Sequence, residues 1–206
     1  MAGSSDISIG RLRPSERDAA VVSCARAFWP DPLFGFFCRD LLQEHHGVGF
    51  FAALFDDAAA HGEVWVARTD KRCIGVACWL PPQNVIRNKR RESRIYRATA
   101  RVLWRGRNRR RGVALLNEVE RAHPRDAHHY LALLAVDPAY QGRGIGRLLL
   151  EPGLAVCDVE GLPAYLETQK EENLAFYHRF GFSVRQLIER PGTPSIWTMW
   201  RDAPAA

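Results

Sequence analysis

The stretch HYLALLAVDPAYQGRGIGR, from His129 to Arg147, decides the fold. Its first part, His129 to Val136, is almost continuously apolar, the composition of a strand buried on both faces near the centre of a sheet. Asp137-Pro138 stops that strand, and Gln141-Gly142-Arg143-Gly144-Ile145-Gly146 leads into a helical segment running to about Glu160. Such a glycine-rich connection is an anion cradle. With no side chains at Gly144 and Gly146 a phosphate can come close, successive backbone N–H groups point inward, and the helix N-terminus adds the positive end of its dipole. The Gly-Lys-Ser/Thr ending of a P-loop is missing, and the spacing does not fit Gly-x-Gly-x-x-Gly followed by a ribose-binding acid. Taken alone, the loop also fits an ordinary tight strand-to-helix turn.

Outward from this centre the chain alternates strands and helices. Ile7 to Arg13 alternates apolar and polar residues as a half-buried strand does, Pro14 opens a helix to about Phe28, and Trp29-Pro30-Asp31-Pro32 breaks it before a short turn or helix, Leu33 to Cys38. Gly49 to His61 reads as a helix; Glu63 to Arg68 and Arg72 to Leu80 read as a hairpin turning at Asp70-Lys71 and closed by Pro81-Pro82. Arg87 to Arg111 carries basic residues on one helical face with Ile95, Thr99 and Val102 opposite, a basic amphipathic helix, and Gly112 to Ala122 forms another. Beyond the glycine loop, Ala164 to Thr168 is a strand, Glu171 to Phe180 a helix, and Phe182 to Glu189 and Ser195 to Arg201 two final strands.

At 206 residues, 47% hydrophobic and 25% charged, the chain can bury a sizeable core and is not disordered. Without repeats, low-complexity tracts or a linker, residues 1–206 read as a single domain. No apolar run reaches the roughly 18 residues of a membrane span, and the opening MAGSSD lacks a signal-peptide pattern, so the expectation is a soluble cytoplasmic protein with no membrane partner. Five cysteines without Cys-x-x-Cys speak against a disulfide framework or a zinc knuckle, and the pairs His45-His46 and His128-His129 lack ligand spacing, so no metal is expected. The net charge of +6 is local: Arg87 to Arg111 carries +11, and the remainder, 17 basic against 22 acidic residues, carries −5. A general nucleic-acid binder is not implied.

The buried strand, Val136-Asp137-Pro138, the Gln141-x-x-Gly144-x-Gly146 loop, and then Asn173, Tyr177 and Phe180-Gly181-Phe182 together resemble the GCN5-related N-acetyltransferase (GNAT) superfamily. Leu166-Glu167-Thr168, Val64-Trp65-Val66-Ala67, Trp79-x-Pro81, Leu150-x-Pro152-Gly153 and Trp197-x-Met199 are similar in order and approximate spacing to its puromycin N-acetyltransferase-like, antibiotic-resistance enzymes. The likeness covers most of the chain beyond residue 60; the N-terminal helices match loosely, chiefly at Arg26-Ala27-Phe28. It implies an α/β (α+β) fold with a mixed central sheet of about six to seven strands flanked by helices, the basic helix being an addition between strands 3 and 4. It also implies acetyl-CoA as co-substrate, no metal, and a helix kinked or shortened at Pro152-Gly153.

The same resemblance assigns roles. Gln141, Gly142, Arg143, Gly144, Ile145, Gly146 and Arg147 would hold the pyrophosphate; a splay beside Leu134, Ala135 and Val136 would free backbone groups for the pantetheine amides, with the Val136 N–H as oxyanion donor. Asn173 would bond the pantetheine arm, and Tyr177, one helical turn on, would protonate the departing thiolate. Each has a plainer alternative, namely sheet core, a polar helix start, or a half-buried tyrosine. Glu167 ends an apolar strand and is either a solvated carboxylate or the base that deprotonates an ammonium substrate. Phe28, Trp29 and Phe34 are either simple core or the wall of an apolar amine pocket.

Acetyl transfer to a small-molecule primary amine, directly in a ternary complex, is therefore the leading expectation, by a monomer or homodimer. A protein-lysine or N-terminal acetyltransferase is a second reading, and a polyanion-binding module built on Arg87 to Arg111 a third.

Overall fold

The computed structural model describes residues 7–38, 44–70, 72–85, 91, 93, 97 and 108–204. Strand β1 (Ser8–Arg11) is shorter than the Ile7 to Arg13 alternation predicts, because Pro14 opens a 3-10 turn, Pro14–Glu16, whose Glu16 carboxylate accepts the Arg13 N–H at 2.9 Å. Helix α1 (Arg17–Phe28) follows. Buried Asp31 then accepts the N–H groups of Leu33 and Phe34 at 2.9 and 3.2 Å and so starts α2 (Pro32–Cys38). Next come α3 (Glu44–His61), which begins before Gly49, the expected hairpin of β2 (Glu63–Thr69) and β3 (Arg72–Leu80), and the single turn α4 (Pro82–Val85).

Most of the segment read as a basic amphipathic helix lies outside the described residues, including its Arg94 and Arg101. Arg91 corrects part of that reading. Instead of joining a solvated face it is buried, clamping Asp57 of α3 through two hydrogen bonds of 2.9 and 3.0 Å and donating to the Asn84 carbonyl. Guanidinium and carboxylate match as forks, so each satisfies the charge the other would leave unpaired in the core.

The second half contains α5 (Arg109–Ala122), β4 (His129–Val136), α6 (Ile145–Glu160), β5 (Ala164–Thr168), α7 (Leu174–His178), β6 (Ser183–Ile188) and β7 (Ile196–Arg201). Of the two forms expected at Pro152-Gly153, kinked or shortened, helix α6 is not the shortened one: it runs through Pro152 to Glu160, where the sequence reading ends it. Gly153 serves packing instead: a Cβ there would lie 2.2 Å from the Trp79 indole. The helix ends at Gly161, with φ of 63°, where Leu162 donates to the Cys157 carbonyl and Gly161 to that of Asp158, a Schellman close. Gly181 closes α7 in the same manner. The single helix expected from Glu171 to Phe180 is in fact a 3-10 turn, Glu171–Asn173, followed by the short α7, since the chain must turn tightly straight off β5.

Seven strands form one mixed sheet in the order β1-β2-β3-β4-β5-β7-β6, antiparallel except between β4 and β5. One face packs Val66, Val76, Leu133 and Ala135 against α1 and α3; the other packs Ile74, Leu131, Leu166 and Met199 against α6. Period-2 alternation of apolar residues on the central strands produces the two cores.

Candidate active site

The parallel joint is short. β4 and β5 pair only at His129 with Ala164 and Tyr130 with Tyr165, and beyond these positions the strands part. A bulge sits beside the last pair: Cys78 opposes Leu133 while Trp79 opposes Leu131, so Ala132 is the extra residue on β4. Ladder parity then fixes which backbone groups face the gap. The Asp137 N–H bonds the Ile74 carbonyl at 2.8 Å, so Ala135 and Leu133 direct their polar groups at β3, and Leu134 and Val136 direct theirs away from it, to the side where β5 has departed. The Gln141 side chain donates to the Val136 carbonyl at 3.0 Å, leaving the Val136 N–H to the opening.

The loop below the gap leaves open space around its backbone. Gly142 and Gly144 adopt φ of 74° and 77°, a left-handed region costly for other residues, and nothing lies within 4 Å of where their Cβ atoms would be. Gly144 caps α6, so the helix N-terminus opens onto the same space. Two details differ from the sequence reading. A Cβ on Gly146 would meet the Phe176 ring at 3.4 Å, so this glycine serves packing against α7, and Arg147 pairs with Glu151 along the helix at 2.6 Å. Ile145 is buried, so only its backbone can serve the cradle, whereas Arg143 is exposed over the Tyr140 ring.

Tyr177 is buried on the α6 side of the sheet, and its hydroxyl has no hydrogen-bond partner among the described residues. Burial raises its phenol well above the ordinary range, which keeps the proton in place. Asn173 donates from its side chain to the Thr168 hydroxyl at 3.0 Å, anchoring the turn that delivers Tyr177. Leu166 and Thr168 share this face, so alternation along β5 puts Tyr165 and Glu167 on the other. The gap therefore connects an acid on one side with a carboxylate on the other.

Glu167 is far from solvated. It accepts a hydrogen bond from the Tyr130 hydroxyl at 2.6 Å and lies 3.5 Å from Nδ1 of His123, whose ring packs edge-on against Tyr130 and Tyr165. Tyr165 is fully buried; its hydroxyl makes no well-formed hydrogen bond, although Glu167 is near enough for its charge to reinforce the effect of burial in raising the phenol. Sequence reasoning missed Tyr130, His123 and Tyr165. His128, just before β4, and His129, its first residue, point apart, His128 to His123 and His129 to Glu160. Of the aromatic residues, Phe34 is buried and packs on Phe51, Phe28 stacks on Phe51 at 5.0 Å, and Trp29 is 52% exposed. Among the described residues no group of three His, Cys, Asp or Glu could hold a metal, and no helix is long and apolar enough to cross a membrane.

A sheet parted at its parallel joint, with a glycine-rich loop leading into a helix beside the opening, is the architecture of an acyltransferase. Residues 23–182 match the acetyltransferase (GNAT) family, and the chain belongs to that family, whose enzymes use acetyl-CoA to acetylate amines. Over 186 residues, 86% of this chain and 75% of the relative, it is 27% identical to an uncharacterized N-acetyltransferase of Schizosaccharomyces pombe. The structure is similar to that of the histone acetyltransferase HPA2 and related acetyltransferase from Corynebacterium glutamicum, with a TM-score of 0.66, 25% identity and coverage of 97% of this chain and 98% of that one. Arylalkylamine N-acetyltransferase 2 from Aedes aegypti shares the fold with a TM-score of 0.66 at 15% identity, covering 96% of this chain and 99% of that one.

Proposed function

We propose that this enzyme acetylates the primary amine of a small molecule, directly and with both substrates bound at once. The recess around Glu167 carries this reading: its side chain is 10% exposed and that of His123 beside it 19%, so a slender amine can reach the carboxylate where a folded protein surface would stop short. Acetyl-CoA supplies the activated thioester. The backbone of Gly142 to Gly146 holds its pyrophosphate, and the outward-facing groups of Leu134 and Val136 hold the pantetheine amides. The Val136 N–H stabilises charge developing on the thioester oxygen. Tyr177 gives its proton to the leaving sulfur, and Glu167 takes one from the incoming ammonium. With Phe28 and exposed Trp29 taken as walls of the acceptor pocket, the acceptor is an amine on an aromatic or apolar body, such as an aminoacyl-nucleoside of the puromycin kind. Residues 1–206 act as one domain, a monomer or homodimer, in the cytoplasm, where acetyl-CoA is available.

The test combines two measurements. Acetyl-CoA should raise the melting temperature, because it binds only the folded chain, and Gly144→Val should abolish that rise. Thiol release should then be fastest with a small primary amine in a panel that includes aromatic amines, puromycin and peptides. A peptide acetylated faster than every small amine overturns the acceptor assignment, and a wild-type protein whose melting ignores acetyl-CoA overturns the site.

A further inference from the structure

We propose that Glu167 and His123 act as one base holding a single shared proton, so that His123 is where the proton of the acceptor ammonium is stored. The inference rests on the acetyltransferase reading but is argued from a separate chain of hydrogen bonds. It starts at the Asp126 carbonyl, 2.6 Å from Nδ1 of His128. A carbonyl can only accept, so His128 carries a proton on Nδ1. His128 is buried, and burial lowers its imidazole below the ordinary value, which favours the neutral ring with a lone pair on Nε2.

That lone pair faces Nε2 of His123 at 3.2 Å, so the His123 nitrogen must be the donor. A neutral His123 would then present the lone pair of its Nδ1 to the Glu167 carboxylate 3.5 Å away, acceptor against acceptor. The other Glu167 oxygen already accepts from the Tyr130 hydroxyl, so no rearrangement at the carboxylate relieves the conflict. One additional proton between Nδ1 and the carboxylate does relieve it. With that proton the two side chains act as a unit, and without it two acceptors face each other.

In the reaction, the shared proton first leaves for water through His123, the more exposed of the two. An N–H bond of the acceptor ammonium then breaks, its electron pair stays on nitrogen, and its proton takes the vacated place between Glu167 and His123. The neutral amine is left to attack, and the pair is regenerated without a co-reactant. Among the described residues, the other titratable or charged groups around it are Tyr130 on β4, Tyr165 on β5, His128, and Arg185 on β6. Arg185 adds to the forces that keep His128 neutral.

His123→Phe keeps a ring against Tyr165 and removes both nitrogens; His123→Gln keeps hydrogen-bonding groups but cannot hold a positive charge. With an aliphatic acceptor of pKa about 10, charged at pH 7, both variants should lose at least about tenfold in kcat/KM. With an acceptor of low pKa, already neutral at that pH, the loss should stay under about twofold. Equal losses with both acceptors mean that His123 only shapes the site, and the proposal falls. Two-bond proton–nitrogen NMR of the wild-type chain, without acetyl-CoA, provides a check that needs no variant to fold. It should show His128 with its proton on Nδ1 and His123 with protons at both nitrogens at pH 7. A neutral His123 protonated on Nδ1 alone overturns the shared proton. The melting response to acetyl-CoA in the same samples reports on the acetyltransferase reading independently, so either can fail while the other stands.

Discussion

Tyr177 has a proton that nothing else in the structure claims. The side chain is buried, its hydroxyl has no hydrogen-bond partner among the described residues, and desolvation disfavours the phenolate, so the group stays neutral and keeps a proton to give. Tyr177→Phe removes a single oxygen from an apolar surround. We expect kcat to fall roughly 100-fold in a thiol-release assay, while the rise in melting temperature with acetyl-CoA stays as in the wild type. Equal weakening of both would mean that the hydroxyl holds the ground state and not the transition state. At this scale the sequence is informative where a role is local. The glycines of the loop and the spacing from Asn173 to Tyr177 are short-range patterns. Nothing comparable announces His123, which follows the last turn of α5 and meets Glu167 only because the strands between them are laid side by side. Arg91 was misread for the same reason: helical periodicity places it in a basic stripe, and only the tertiary pairing with Asp57 reveals a buried clamp.

Helix α6 presents a conflict between propensity and packing that can be weighed. Alanine favours a helix over glycine by about 1 kcal/mol, so Gly153→Ala should stabilise an isolated α6. In the folded chain, however, the new methyl would lie 2.2 Å from the Trp79 indole, itself 2% exposed. Overpacking of this kind costs about 1–3 kcal/mol or more, so the clash should win, and urea denaturation should show a net loss of about 1–2 kcal/mol. An unchanged midpoint would mean that the indole can shift. The boundaries of most elements could be read from prolines and glycines, as at Asp137-Pro138 and Gly161. Pro152 shows the limit of such punctuation, because a helix can continue through one lost N–H when neighbouring packing holds it. The turn from β5 into α7 was likewise hidden, since 3-10 and α-helical turns share nearly the same apolar spacing.

At the scale of the molecule, four buried thiols among the described residues give stability a dependence on alkaline pH. Cys24, Cys73, Cys78 and Cys157 are free, and burial is the first cause that raises each; Cys73 is pushed up to about 11 and Cys157 to about 12, with Cys24 and Cys78 further still. Their ordinary value is 9.0, so above that pH the unfolded chain sheds protons that the folded chain keeps, and stability falls as pH rises. We expect the urea midpoint to be flat from about pH 7 to 8.5 and to decline from about pH 9, with a shallower decline in Cys157→Ala. A midpoint indifferent to pH up to about 10.5 would show that the thiols ionise in place. These thiols lie in a core packed in two layers, one on each face of the sheet. Those layers share one weak seam. The halves of the sheet, β1 to β4 and β5 to β7, are stitched by two residue pairs at β4–β5. A donor lodged in the opening past that stitch would brace two leaves that otherwise flex about it as a book does about its spine. Occupancy would then stiffen β6 and β7, strands that need never touch the ligand.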